Sequence, residues 1–563
     1  MPASLDARRT ECGLQAGLRY LNNLFEMKQI KLSADKIGRV FQAIPSYFWF
    51  ALLIRLVLMA LTGHQDAWII PWTSFPAFQE NVYLYDFLAT IRDATKVDSL
   101  GTLNWAPNPP LTYYTIAGWM SLLKGARLLD TQGWHYSTFT AKNLIFPIRM
   151  LFLTKGLYLM AEMGTWVLLR RLVPFKRRKL LDLVWLFSPV TLIGIYVMSQ
   201  TDILAIFWAI LALFLARQAL ISPPRAIWPS SLALFCLGIG AAYKFWPLML
   251  VPLWALILRK DWLGRIGLSL CAALPLLVTI LPFLPSPTFQ AWVLFGHTDS
   301  SFTLGQPEWI QKASPFILAW GAAFIFLVFS KPSFDLLWKA SLFVLLSFFT
   351  FNAFWEFYWL IWVFPFLTLA VSYIPRGIWA IPILTIHFLL YMIGGWGLGI
   401  EVFNIGFRSF PFATMRLQDY IFPTDFPDRI FTILTITFSL FVVSSWGLFA
   451  IIWLGDRLPI KTFEDEDKNL KTWPVWLSPG IFIFYVFATF QVGSEPYGRI
   501  PFFSILRQIL RTMQLDPGFL LLFLSMILLA SGLWLIAVGI DLNKVLGQKR
   551  RLKLNESELG RSL

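Results

Sequence analysis

Charged residues are scarce in this chain of 563 residues: they make up 14%, whereas 57% of the residues are hydrophobic and 17% are aromatic. Soluble domains carry about 25% charged residues. The low charge and a mean hydropathy of +0.63 therefore exclude a soluble globular protein. Apolar runs such as LLFLSMILLASGLWLIAVGI have the length of a spanning helix, about 20 residues, and lack the alternation of barrel strands. The composition predicts an all-α, polytopic transmembrane helix bundle.

Cysteines are few, and the sequence shows no secretory signal. The three cysteines, Cys12, Cys236 and Cys271, are scattered and form neither a metal-binding nor a disulfide framework. The first 40 residues carry seven Lys or Arg and no early apolar core, so no cleavable signal peptide is expected. Residues 1–44 are instead predicted to form a basic, amphipathic leader on the cytoplasmic surface.

The net charge of +15 is better explained by topology than by a nucleic-acid partner, because Lys and Arg collect on the cytoplasmic side of membrane proteins. The same rule decides the short segment PLTYYTIAGWMSLL at 110–123. If it crossed the membrane, the basic run at 170–179 would face outward, so we interpret the segment as a half-inserted helix within one long outer loop, 64–144. The topology then has about 14 spans and both termini inside.

The predicted spans lie near 46–63, 145–169, 180–198, 203–220, 228–243, 246–258, 265–284, 315–330, 336–352, 355–373, 377–396, 430–454, 474–492 and 517–540. Three regions follow from them: the leader, a membrane core at 45–375, and a further membrane region at 376–563 with outer loops and a basic cytoplasmic tail.

Polar groups from separate parts of the sequence are predicted to share the outer membrane boundary. Asp66 follows the first span, Gln200 and Asp202 lie in the short turn MSQTD, Lys244 lies in AYKFWP and Glu356 in NAFWEFYW. Ionisable residues at this depth are costly and are functional candidates by default.

Each candidate also has a structural interpretation. Asp202 is well placed to cap the helix that follows it, Lys244 to extend along apolar surface without a partner, and Glu356 to join an interfacial aromatic belt. Asp66 is alternatively a plain loop carboxylate. Within the first span, Arg55 is expected to face the bundle interior, packed and paired, rather than to bind a ligand.

The order of four segments resembles the GT-C superfamily of glycosyltransferases that use polyprenyl-phosphate sugars, and within it the mannosyltransferase-like branch. The segments are GHQDAWIIPW, NWAPNPPLTYY, SPVTLIGIYVMSQTD and YKFWPLMLVPLWALILRK. The resemblance covers roughly residues 45–375, and the last third of the chain has no counterpart in it.

The resemblance implies a role for several residues. Asp66 holds the place of the family's catalytic base, and Lys244 that of a lysine that meets the carrier phosphate. The SQTD turn resembles the family's Gly-Gln-x-Asp turn, with Ser199 in place of glycine. The first loop has no Asp-x-Asp motif, so no metal ligands are predicted and metal dependence stays open.

The expected activity is transfer of a hexose, such as mannose, from a polyprenyl-phosphate donor to a glycan, lipid or protein acceptor on the extracytoplasmic face. Single displacement would invert the anomeric carbon. The enzyme would lie in the plasma membrane, or in the endoplasmic reticulum membrane of a eukaryote. A lipid-linked oligosaccharide flippase or other transporter, and a polymerase or ligase of surface glycans, are the alternatives.

Donor binding is assigned to polar and aromatic side chains near the same boundary. Tryptophan rings stack on sugar faces, although the same rings also serve as packing or belt residues. The residues assigned to substrate or carrier binding are Gln200, Asp202, Lys244, Glu356, Trp68, Trp72 and Trp105.

Overall fold

The structure is a computed structural model, and its described residues are helical, with no strand among them. The described ranges are 45–62, 70–71, 74–75, 77–78, 84–87, 108–128, 145–221, 227–294, 307–351, 357–373 and isolated positions between 439 and 453. The chain divides into two units. Of the first, 1–50, the structure describes only the start of a helix at 45–50; the second, 51–563, contains all the contacts discussed below.

The longer helices of the described ranges are α1 (Ser46–Leu61), α2 (Pro110–Gly125), α3 (Ile145–Leu172), α4 (Arg178–Phe187), α5 (Asp202–Ile221), α6 (Ile227–Tyr243), α7 (Val251–Leu258), α8 (Trp262–Ile280), α9 (Pro307–Phe329), α10 (Phe334–Phe351) and α11 (Phe364–Tyr373). Shorter helical turns join several of them: Phe175–Arg177, Pro189–Thr191, Leu192–Val197, Trp246–Leu250, Leu281–Phe283, Pro287–Phe289, Gln290–Leu294 and Phe357–Trp362.

Three of these elements are long and apolar enough to cross a membrane: α5, α10, and α8 together with the turn that extends it to Phe283. A fourth candidate is the pair Phe175–Phe187 and Pro189–Val197, which is bent by 43°. On α8, Leu263 is 83% exposed and Leu270 63%. An apolar surface of this kind is unfavourable in water and suits lipid. The described part therefore has the helices of a membrane-associated protein, and the count of about 14 spans stays a prediction.

Proline divides two of the predicted spans. The expected span 180–198 breaks at Ser188, where α4 ends and Pro189 begins the next helical turn. The expected span 246–258 consists of a 3₁₀ turn followed by α7, with Pro247 and Pro252 in the first turn of each piece. Proline lacks the N–H that a continuous helix needs and restricts the residue before it. The hydrophobic pattern located the apolar segments of these two spans and missed their breaks. The predicted spans 377–396, 474–492 and 517–540 and most of 430–454 lie outside the described residues.

One set of helix ends meets around Leu172, the last residue of α3. Its carbonyl oxygen accepts hydrogen bonds from Tyr373 Oη at 2.7 Å and from Arg217 Nη1 at 3.1 Å. Arg170 pairs with Asp182 of α4 at the same end. These are the ends of α3, α4, α5 and α11 that the sequence predicts on the cytoplasmic side.

A second set of contacts joins ends that the sequence predicts on the outer side. Thr112 Oγ1 of α2 donates to Tyr243 O of α6 at 2.9 Å. Ser286 Oγ, beyond α8, donates to Asp86 Oδ1 of the first outer loop at 2.9 Å. The helix of residues 110–125 thus packs on α6. The interpretation of this segment as a half-inserted helix stays a prediction.

Helices α6 and α8 approach so closely at Gly238 that a side chain would not fit. A Cβ placed there would lie 2.0 Å from Ala272 O, a backbone atom of α8. Small residues allow such approaches between membrane helices. The close packing of α6 on α8 therefore requires a residue without a side chain at position 238.

We expect Gly238→Ala to lower the stability of the folded chain in detergent by about 1–3 kcal/mol, the usual cost of overpacking. Thermal unfolding followed by circular dichroism measures the change. The matched control is Gly118→Ala on an exposed face of α2, where nothing lies within 4 Å of the added Cβ. Alanine there should be neutral or stabilise the helix by about 0.5–1 kcal/mol. Equal melting temperatures for the two variants would contradict the close approach.

Candidate functional site

The polar centre of the bundle is an ion pair between Arg55 of α1 and Glu162 of α3, both fully buried. Arg55 Nε donates to Glu162 Oε2 at 2.7 Å and Nη2 to Oε1 at 2.6 Å, in a bidentate arrangement. Arg55 Nη1 donates to Leu186 O at 2.8 Å and to Ala51 O at 3.0 Å, and Tyr196 Oη donates to Glu162. The prediction that Arg55 is packed and paired is confirmed.

A second buried basic residue, Lys155 of α3, extends to the end of α1. Its Nζ donates to the carbonyl oxygens of Leu58 and Thr62, the former at 3.3 Å, and lies 3.2 Å from Thr62 Oγ1. Carbonyl groups at a helix C-terminus lack intrahelical partners and carry negative partial charge. Lys155 thus caps the C-terminus of α1.

The turn Ser199–Asp202 follows a π-helical segment, Leu192–Val197. Ser199 has a φ of 55°, a left-handed conformation that favours glycine. It reverses the chain, so that the N–H of Gln200 turns back to Gly194 O at 3.1 Å. The Ser199 hydroxyl is buried and has no hydrogen-bond partner in the structure. Ser199, which stands in place of the glycine of the Gly-Gln-x-Asp turn that SQTD resembles, therefore has a backbone conformation that glycine favours.

Asp202 is fully buried and lies between an indole and an ammonium group. Its Oδ1 accepts a hydrogen bond from Trp362 Nε1 at 2.6 Å, and its Oδ2 lies 3.6 Å from Lys244 Nζ. Lys244 is 17% exposed. Oδ2 makes no hydrogen bond of its own, so the carboxylate retains a free acceptor toward the side on which Lys244 lies.

These contacts decide between the interpretations of two predicted residues. The carboxylate of Asp202 is bound by Trp362 and faces Lys244, so its side chain does not serve as the cap of α5. Lys244 has a charged partner and does not merely extend over apolar surface. Gln200 donates through Nε2 to Met198 O at 3.2 Å, within the same turn.

Three tryptophans stack beside Asp202. The rings of Trp359 and Trp362 are 4.9 Å apart and those of Trp362 and Trp246 are 5.8 Å apart, each pair inclined by 14°. The Nε1 of Trp246 is buried without a hydrogen-bond partner in the structure. Trp246 and Trp362 are buried, so the stack forms an aromatic wall behind Asp202, and its middle ring, Trp362, is the one that donates to the carboxylate.

The segment predicted as the first outer loop contacts the bundle through residues 85 and 86. Tyr85 is buried, donates to Asn108 O at 2.8 Å and packs edge-on against Phe289, with ring centroids 4.8 Å apart. Burial raises the pKa of Tyr85 well above its ordinary value, so its hydroxyl stays protonated as a donor. Part of the predicted loop is therefore folded against the segment after α8.

Of the predicted site residues, the structure brings together Gln200, Asp202 and Lys244. The others fall outside the described residues, and their assignments stay predictions: Asp66, Trp68, Trp72, Trp105 and Glu356. Within the described ranges, no three His, Cys, Asp or Glu side chains are close enough to hold a metal ion.

Sequence reasoning missed Lys155, Glu162 and Trp362. The first two were detectable, because charged residues inside a predicted span are costly and point to a partner, and their spacing of seven places them on one helix face. Trp362 had no such signal among the 27 tryptophans of the chain.

Comparison with known proteins found no match: no family model fits the chain, and neither the curated proteins nor the solved structures contain a similar one. The resemblance to the GT-C superfamily stays a prediction from the quoted segments.

We expect Ser199→Gly to fold at least as stably as the natural chain, with a gain of up to about 1 kcal/mol, because glycine relieves a left-handed conformation. Ser199→Val should lose stability, since a β-branched residue resists that conformation. Ser199→Ala is the matched control that removes only the unpaired hydroxyl. Thermal unfolding in detergent compares the three, and a glycine variant less stable than the alanine variant would contradict the observed backbone conformation.

Proposed function

We propose that this chain is a polytopic membrane glycosyltransferase that moves a hexose from a polyprenyl-phosphate carrier to an acceptor on the extracytoplasmic face. The observation that carries the proposal is the contact between Asp202 and Lys244. Each was a candidate from its own segment of sequence, and the two lie 3.6 Å apart beside the tryptophan stack. Lys244 is partly exposed, which leaves its ammonium accessible to an anionic group.

The connectivity of the chain supports Asp66 as the base. Thr62 Oγ1 at the end of α1 lies 2.9 Å from Tyr196 O, and Tyr196 precedes the Ser199–Asp202 turn by three residues. Asp66 follows Thr62 by four residues, which span at most about 14 Å. The covalent chain therefore limits how far the Asp66 carboxylate lies from the end of α1.

The proposed reaction is a single displacement. An acceptor hydroxyl loses its proton to Asp66 as its oxygen forms a bond to the anomeric carbon. The bond from that carbon to the phosphate oxygen breaks, its electron pair stays on the phosphate, and the anomeric configuration inverts. Lys244 stabilises the negative charge of the departing phosphate, an interaction that is stronger at a low-dielectric boundary than in water.

Asp202 has two roles in this proposal. Its hydrogen bond from Trp362 holds the carboxylate in place, and its free Oδ2 orients Lys244 or accepts a sugar hydroxyl. In the proposal, Trp359, the partly exposed ring of the stack, offers an apolar face to a hexose ring, while Gln200 and the Trp246 N–H supply polar contacts. Trp68, Trp72, Trp105 and Glu356 complete donor binding in the proposal.

The proposed topology has about 14 spans with both termini in the cytoplasm, and it places this site at the outer boundary. The two sets of helix-end contacts support it, because the ends predicted on one side contact each other. The membrane is the plasma membrane, or the endoplasmic reticulum membrane if the source is a eukaryote.

A transporter is the alternative from another class. The buried charges inside the helices would line a transport path in such a protein. Arg55 and Glu162 are instead fully packed and bonded to each other, which favours a structural role for them and leaves the boundary site as the place for chemistry.

We expect purified protein in proteoliposomes to transfer label from a radiolabelled polyprenyl-phosphate hexose to an acceptor glycan. Asp66→Asn should lower kcat by at least about 100-fold, because a general base contributes that much or more. Lys244→Met should also lower kcat, since the leaving phosphate loses its counter-charge. Product formation measured by scintillation counting after lipid extraction gives both rates.

The control for these variants is Asp261→Asn. Asp261 is exposed at the start of α8, accepts the Gly264 N–H at 2.7 Å, and asparagine caps helices equally well. Its activity should equal that of the natural chain. Full activity of Asp66→Asn would exclude it as the base, and movement of intact lipid-linked sugar across the bilayer with no new glycan would identify a transporter.

A further inference from the structure

Lys155 is the most unusual buried group of the described bundle. It is fully buried in the middle of α3, and within the described ranges its Nζ hydrogen-bonds only to oxygens of Leu58 and Thr62, with no carboxylate among them. Burying the polar end of a lysine without an ion-pair partner is costly. A methionine of similar length would fill the same space without that cost, so packing alone does not explain the amino group.

Near Lys155, the end of α1 contacts the π-helical segment Leu192–Val197, and both lead to the proposed site. On the same helix, Glu162 binds both Arg55 of α1 and Tyr196. Thr62, whose carbonyl group Lys155 binds, also places its hydroxyl 2.9 Å from Tyr196 O. One face of helix α3 thus binds α1 and the π-helical segment through Glu162 and the end of α1 through Lys155, two turns earlier.

The two elements continue directly into proposed catalytic residues. Asp66 follows Thr62 by four residues, and Asp202 follows Tyr196 by six. A change in the relative position of Thr62 and Tyr196 would therefore change where the chain that leads to Asp66 begins relative to the segment that leads to Asp202. Misplacement of a reacting group by about 1 Å can lower a rate about 100-fold.

We propose that Lys155 is a positioning residue: its amino group binds the end of α1 and thereby holds Thr62, four residues before Asp66, against Tyr196, six residues before Asp202. The inference rests on the proposed function, because it assigns the positioning to the transfer reaction. The contacts of Lys155 with α1 do not depend on that function, and they can be tested without an activity assay.

The first experiment is hydrogen exchange measured by mass spectrometry on the full chain in detergent. In Lys155→Met we expect amide exchange in peptides covering Leu58–Thr62 and Tyr196–Asp202 to become at least about 10-fold faster, because the α1 carbonyl groups lose their donor. Lys155→Arg should retain most of the protection. The control is Lys339→Met on α10, a lysine that lies over Trp338 with Nζ 5.7 Å from the ring centroid, and it should leave both peptides unchanged.

The second experiment separates positioning from stability through the kinetics of hexose transfer. Lys155→Met should lower kcat about 100-fold and change the KM for the polyprenyl-phosphate hexose less than 3-fold, and Lys155→Arg should recover at least a tenth of the natural kcat. Thr62→Val removes the shared hydroxyl without removing a charge, and it should lower kcat in the same direction if Lys155→Met fails to fold.

Each outcome decides one claim. Natural exchange rates in both Lys155→Met and Thr62→Val would overturn the binding of α1 by Lys155. Faster exchange with unchanged kcat would overturn its role in positioning. If the natural chain transfers no hexose while exchange responds as expected, the proposed function fails and the structural part of the inference stands.

Discussion

The bidentate pair between Arg55 and Glu162 is the interaction on which the described bundle depends. Two charges in an apolar interior are tolerated only when each is paired and its remaining hydrogen-bonding capacity is used. Arg55 meets this condition through Glu162, Leu186 O and Ala51 O, and Glu162 through Arg55 and Tyr196. Loss of either charge would leave the other buried without a partner. The pair therefore stabilises one relative placement of α1, α3 and the end of α4.

The candidate site lies where several helix ends meet. Its parts come from three separate segments: Asp202 at the start of α5, Lys244 after α6 and Trp362 before α11. Not all of the hydrogen-bonding capacity around the site is used. The Asp202 Oδ2, the Ser199 hydroxyl and the Trp246 N–H have no hydrogen-bond partners in the structure. Buried polar groups are usually paired. Of the three, the Asp202 Oδ2 lies 3.6 Å from Lys244 Nζ, and polar groups left unpaired in this way are available to a polar ligand.

The comparison of sequence with structure is most informative at particular residues. Asp202 and Lys244 were found from sequence, because an ionisable residue next to an apolar helix stands out against a sequence with so few charges. Their contact was not predictable, since 42 positions separate them in the sequence and no local pattern fixes the packing of α5 on α6. Ser199 shows the opposite case. A residue type that departs from the expected glycine adopts the left-handed backbone of a glycine, because the tight return of the chain from Gly194 to Gln200 requires it.

The sequence by itself determined the helical class, the approximate positions of the described apolar segments and the burial of Arg55, because hydrophobic length and the cost of a charge in lipid are properties of local composition. Only the tertiary structure decided which charges pair, where proline divides a helix into two pieces, and that Lys155 binds the end of α1. These features depend on side chains that are distant in sequence and meet only when the helices pack. The pattern of hydrophobicity identifies which segments are buried, and it contains no information on which neighbours they contact.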